Sequence, residues 1–224
     1  MAFASMPAKI ASDTLTLGNY NTLRDNFELT APGLVTTKGD IVAATAANAT
    51  SRLAVGASGS VLVPATGEAT GLKWHIAPTC RAYNDAAIDP ATSSWVTLTF
   101  NQERWDSDAM HSTSVNAGRL TIPSSGDGIY MIDGGALFDT SGVGGGTAYY
   151  GIRVILGGAT VIKQIGPVEI TQDTHDMGMA ISALYNLAAT NYVELQVFTT
   201  ADINILSTAN VSPEFGATWL RKAP

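Results

Sequence analysis

The chain has 224 residues and a formal net charge of −7, and only 14% of its residues are charged, against about 25% in an average domain. That length accommodates one large β domain or an ordinary domain with an appendage, and the lack of Lys/Arg clusters excludes a nucleic-acid surface driven by counterion release. A single cysteine, Cys80, excludes an intrachain disulfide and a site of several thiolates, and no run approaches the ~18 apolar residues of a membrane span.

The first segment covers residues 1–30. Met1 to Ile10 is short and interrupted by Pro7, unlike a secretory h-region, so synthesis in the cytoplasm without export is expected. Its clearest piece is "SDTLTLGNYNTLRDNFELT", in which Ser12 or Asp13 is a candidate helix cap and Tyr20, Leu23 and Phe27 make a narrow apolar stripe. A stripe without a following helical partner belongs either to a surface helix or to one that docks on another protein.

The second segment, residues 31–76, says nearly the same thing twice. Laid over each other from Gly39 and Gly59, the two stretches share Gly, an aliphatic pair (Ile41 and Val42, Val61 and Leu62) and Ala-Thr (Ala49 and Thr50, Ala69 and Thr70), at an offset of 20 residues. Short strands separated by Ala46 to Asn48 and by Thr66 to Glu68 give the rhythm of hairpins. Two copies fall below the roughly three that a free-standing solenoid needs, so the apolar face has to be covered by another domain or by other chains. A stalk or collar built from several chains is expected.

The third segment, residues 77–224, has the length of one domain. Strands are expected at "SWVTLTF", "RLTI", "GIYMIDGGALF", "YYGIRVIL", "TVIKQI", "MGMAISALY", "YVELQVF" and "FGATWL". None has a helical period, and eight short strands in one run point to a mainly β chain ending in a jelly-roll β-sandwich. In "YVELQVF", Val193, Leu195 and Val197 form one face, while Tyr192 and Phe198 stand on the mixed face, where they read as a contact with another subunit.

Catalytic and metal chemistry find little support. "ERWDSDAMH" holds Glu103, Asp106, Asp108 and His111, but it lacks the glycine and following glutamate of a calcium loop and is read as a structural turn. His175 and Asp176 are read as loop residues, and "GVGGGT" from Gly142 has no GKS ending and no helix to complete a phosphate cradle. No serine has an elbow context, and His75, His111 and His175 follow no catalytic order. The chain is not expected to be an enzyme or to carry a cofactor or metal.

Two resemblances add to this reading. On "NAGRLTIPSSGDGIYMIDGGALF", "YYGIRVILGGATVIKQ" and "SPEFGATWL", the third segment resembles the trimeric jelly roll of complement-type globular heads and the tumour necrosis factor family. There the closing strand sits near the trimer axis, which implies interface roles for Phe215 and Trp219 beside Tyr192 and Phe198. On "TTKGD", "RLAVG", Gly59 to Leu62 and "TGLKW", the second segment is similar to a module of bacteriophage structural proteins, and "NYNTLRDN" is similar to their amino-terminal ends. Together they imply a homotrimeric short fibre or spike on the virion surface, made in the host cytoplasm. Its knob would attach to a host-surface glycan or protein, and Tyr20, Leu23 and Phe27 would anchor it to capsid or tail proteins. The alternative is a capsid decoration or head fibre with a stabilising role.

Overall fold

The computed structural model describes residues 16–28, 31–140, 146–171, 175–208 and 211–223. The chain divides into two compact units, Met1–Ile76 and Ala77–Pro224. No helix among the described residues is long and apolar enough to cross a membrane.

The first unit opens with α1 (Leu17–Glu28) and a single helical turn, α2 (Ala31–Leu34). Ser12 and Asp13 lie outside the described residues. The cap that forms is Thr16, whose hydroxyl accepts the Asn19 amide at 3.1 Å and so satisfies one of the free donors of the first turn.

Each copy of the repeat is a β-turn followed by an antiparallel hairpin. The first hairpin pairs β1 (Ile41–Ala46) with β2 (Ala49–Leu53), and the second pairs β3 (Val61–Pro64) with β4 (Leu72–His75). Before each first strand the chain reverses in the same way: the Asp40 amide donates to Thr37 O and the Ser60 amide to Ala57 O, both at 3.1 Å. Gly39 and Gly59 take φ of +93° and +84° there, a region closed to most side chains. The register corrects the constant offset. Ile41 pairs with Leu53 and Val61 with His75, so the first strands are 20 residues apart and the second strands 22. The second hairpin has the longer turn, and Ala69 and Thr70 fall in it.

A latch closes each copy. Arg52 and Trp74 are register equivalents, opposite Val42 and Leu62 respectively. Arg52 reaches back to the Thr36 hydroxyl and to the Asp40 carboxylate, whereas the Trp74 indole donates to Ala54 O at 2.8 Å. Asp40 also accepts the amides of Thr36, Thr37 and Val55 at 2.9, 2.8 and 3.1 Å. The Thr36 bond, working against desolvation, together with the other two amides and the charge of Arg52, lowers its pKa to about 2. A carboxyl depressed in the folded state stabilises above its unfolded value and stops doing so as pH falls toward the folded one. The Val55 amide is therefore expected to exchange slowly at pH 5 and to lose protection between about pH 4 and 2, and in an Asp40→Ala chain, which has no side-chain acceptor, to be unprotected throughout.

The second unit is a β-sandwich. Its strands are β5 (Thr79–Tyr83), β6 (Ser94–Thr97), β7 (Gln102–Asp106), β8 (Arg119–Thr121), β9 (Gly128–Phe138), β10 (Thr147–Leu156), β11 (Thr160–Thr171), β12 (Met177–Leu187), β13 (Tyr192–Thr199) and β14 (Glu214–Arg221). One five-stranded sheet runs β11-β10-β13-β6, with β8 also on β13; the other runs β12-β9-β14-β5-β7. Every named pair is antiparallel. All eight strands expected from sequence form, and the two more are β5 and β7. Inward positions alternate along β9, where Tyr130, Ile132, Ala136 and Phe138 are buried, and along β13, where Val193, Leu195 and Val197 are. The core between the sheets is built around Phe100, Phe138, Tyr150, Leu195 and Phe215, with the Phe138 and Tyr150 rings edge to face at 5.4 Å.

Candidate functional site

The residues singled out by sequence fall in different places. Phe215 is wholly buried and stacks on Phe100 with ring centroids 6.0 Å apart. Its expected interface role is corrected here, because a side chain without exposed surface in the single chain has none to offer to another. Trp219 packs partly buried against the same core, its indole donating to Asp127 O at 3.3 Å. Tyr192 and Phe198 do stand on the outer face of the β11-β10-β13-β6 sheet, each partly covered by its own chain. The Arg119 guanidinium lies 4.1 Å from the Tyr192 ring centroid, and the Trp95 ring lies 5.5 Å from that of Phe198. On α1, Tyr20 and Leu23 are 53% and 50% exposed, and the side chain of Phe27 lies outside the described residues, as does the stretch 141–145 with its glycines.

The acidic stretch is spent on structure. Asp106 ends β7 and accepts the amides of Asp108, Met110 and His111 at 3.2, 3.0 and 2.8 Å. The buried His111 ring places Nδ1 2.9 Å from the Glu103 carboxylate and Nε2 3.1 Å from Ala117 O. Both nitrogens and three of the four oxygens of these two carboxylates are thereby occupied. Among the described residues no three His, Cys, Asp or Glu side chains gather as a metal cage would require. Nearby Cys80 is buried, and desolvation, with the charges of Asp106 and Glu103, pushes its thiol well above the ordinary range. It is expected to react with a thiol reagent only after denaturation, a contrast read directly by absorbance in native and denaturing buffer.

The outer face of the β12-β9-β14-β5-β7 sheet has two halves. In the centre Arg81 joins Asp133 at 2.5 Å and Glu214 at 2.7 Å, while Arg104 takes the other oxygen of Glu214 and covers the Tyr83 ring at 4.6 Å. Burial works against the Glu214 charge, and the hydrogen bonds from Arg104 and Arg81 outweigh it, holding its carboxyl below the usual range. Beside this network lies a concavity of about 440 Å³ lined in part by Gly135, Ala180 and Ser182. Toward β12 the face turns apolar. Leu184 is 66% exposed, and its cross-strand partner Met131 is 41% exposed.

Among the described residues β12 is also an edge strand, paired with β9 alone. Over eleven residues, Met177–Leu187, it contains no charged residue and no proline. The other long edge, β11, carries Lys163, Pro167 and Glu169, and β7 carries Glu103, Arg104 and Asp106. Charge and proline are the usual protection of an open edge against pairing with other chains. On β12 that protection is missing where the exposed apolar pair also lies. Sequence reasoning passed over Leu184 and Met131, although the charge-free run was visible.

No family model matches the sequence, and no curated protein does. Among solved structures, the chain is similar to the globular domain of zebrafish complement 1qA, at 11% identity and a TM-score of 0.45, over 65% of this chain and 99% of that one. It is likewise similar to murine APRIL, at 10% identity and a TM-score of 0.46, over 64% of this chain and 99% of that one.

Proposed function

We propose that the chain is a non-catalytic bacteriophage virion protein, a homotrimeric short fibre or spike whose sandwich is displayed at the virion surface for attachment to a host. The observation that carries the self-association is the unprotected β12 edge with Leu184 and Met131 beside it. The number three rests on the resemblance of the sandwich sequence to trimeric jelly rolls, and the virion setting on the repeat module and the α1 segment. Tyr20 and Leu23, half exposed on a helix, are the side chains offered to capsid or tail proteins.

The brevity of the connecting repeat, two hairpins in all, favours a second reading as well, a capsid decoration or head fibre that stays close to the shell. A fragment spanning residues 77–224 separates the possibilities. It is expected to fold and trimerise alone, since a domain of this length buries close to 70% of its unfolded surface, to fail to enter particles, and to adsorb to host cells. Incorporation of the fragment into virions would refute the amino-terminal anchor. A folded trimer that adsorbed to no susceptible cell would favour the decoration reading.

A further inference from the structure

The outer face of the β11-β10-β13-β6 sheet holds a cation that no carboxylate among the described residues neutralises. Arg81, Arg104 and Arg119 each meet a carboxylate. Arg153, in the middle of β10, has no carboxylate partner among the described residues. Its Nε donates to Gln196 Oε1 at 2.8 Å, and its guanidinium lies over the Trp95 ring, 4.3 Å from the centroid. Burial lowers its pKa, and the amide and the ring that meet it are neutral, so a charged group is held partly out of water with no opposite charge among the described residues to balance it.

The surroundings fix that guanidinium in place. Gln196 is oriented by its own bond to the Thr97 hydroxyl at 3.0 Å. Trp95 is flanked by Phe198 and lies across Gly151, where a Cβ would come within 2.8 Å of the indole. With Nε engaged and the ring behind it, the fork presents its two terminal nitrogens, the edge that pairs with a planar carboxylate through two parallel hydrogen bonds. Around it are amide and hydroxyl groups (Gln164 opposite on β11, Gln196, Thr97) and the rims of Trp95 and Phe198. Such a mixture on a flat sheet suits the hydroxyls and C–H faces of a sugar chain.

We propose that Arg153, seated on Trp95 and oriented by Gln196, is the contact point for a carboxylate-bearing sugar of a surface polysaccharide. The proposal rests on the attachment reading and names the chemistry of the attachment. A phosphate group on a polymer offers similar anionic oxygens, so the test contains both.

The full-length protein is applied to an array of uronate- and sialate-bearing oligosaccharides, their neutral counterparts, and poly(glycerol phosphate). Binding to one or more carboxylate sugars is expected, weakened about ten- to a hundredfold in Arg153→Gln by loss of a charge-assisted bidentate pair and only partly restored in Arg153→Lys. Lys163→Gln, which removes an exposed charge from neighbouring β11, is expected to bind as the parent does. Thermal melts of the parent and Arg153→Gln, expected to coincide, show whether the variant is folded. Binding only to neutral sugars or only to the phosphate polymer, no binding to any acidic sugar, or equal binding by Arg153→Gln overturns the assignment. Adsorption to host bacteria is read in parallel. If Arg153→Gln adsorbs as well as the parent, attachment stands and this site is wrong. If the parent binds acidic sugars on the array but no cells, the site stands and the attachment reading fails.

Discussion

A Phe215→Asp chain is expected to be unfolded in its second unit, not merely unassembled. Phe215 has no exposed surface and lies against Phe100 between the two sheets. Truncating a buried phenylalanine alone costs about 3–5 kcal/mol, and a carboxylate in its place would add the cost of burying a group with no partner there. Together these approach the whole stability of a typical domain, about 5–15 kcal/mol. Loss of the near-ultraviolet dichroism and of a cooperative melt is the expected result. A well-folded monomer would instead mean that Phe215 faces another chain.

Under the proposed assembly through the β12 edge, Leu184→Asp is expected to do the opposite, leaving the fold intact and abolishing that assembly. The side chain is two-thirds exposed, and exposed substitutions usually move stability by no more than about 0.5 kcal/mol. Introduced on every copy, the charge would protect the β12 edge in the way that natural edges are protected and would place a carboxylate beside apolar Met131 in the proposed interface. Light scattering should report a monomer that keeps its near-ultraviolet dichroism and a cooperative melt, with a midpoint lowered only by the lost association. A trimer that persists in Leu184→Asp would place the interface on another face.

Much of the architecture was legible because inward positions of a sandwich repeat every second residue. "YVELQVF" and "GIYMIDGGALF" show that period, and their strands form where it places them. β5 and β7 were less visible because their outward residues carry the ionic network. "TCRAY" devotes Arg81 to it and "QERWD" Arg104, and β7 is a charged edge. The alternation also left the facing of "FGATWL" open. Phe215, Ala217 and Trp219 share one side, and nothing in the hexapeptide says whether that side meets the opposite sheet or another chain. The aromatics of β13 were placed on the correct face, but what they cover is Arg119 and Trp95, long-range partners that no local pattern reveals. Arg153 was silent for the same reason. Its place over Trp95, with no carboxylate partner among the described residues, is displayed only by the folded arrangement.

The latches of the repeat have a further consequence. Each hairpin is fastened to the residues just ahead of it, by Arg52 in one copy and Trp74 in the other. The fastening uses a different chemistry each time, and both copies draw on the stretch that joins them: Asp40 of the first accepts the Val55 amide and Trp74 of the second donates to Ala54 O. A hairpin fastened only to its immediate lead-in and connector can be added together with that connector like a link in a chain, and the two-residue difference between the hairpin turns is already absorbed. Copy number then acts as a ruler. A chain with a third link and its connector spliced in after His75 should keep the same sandwich fold and the same two latches, so that the length of the repeat changes by counting modules and not by redesigning them.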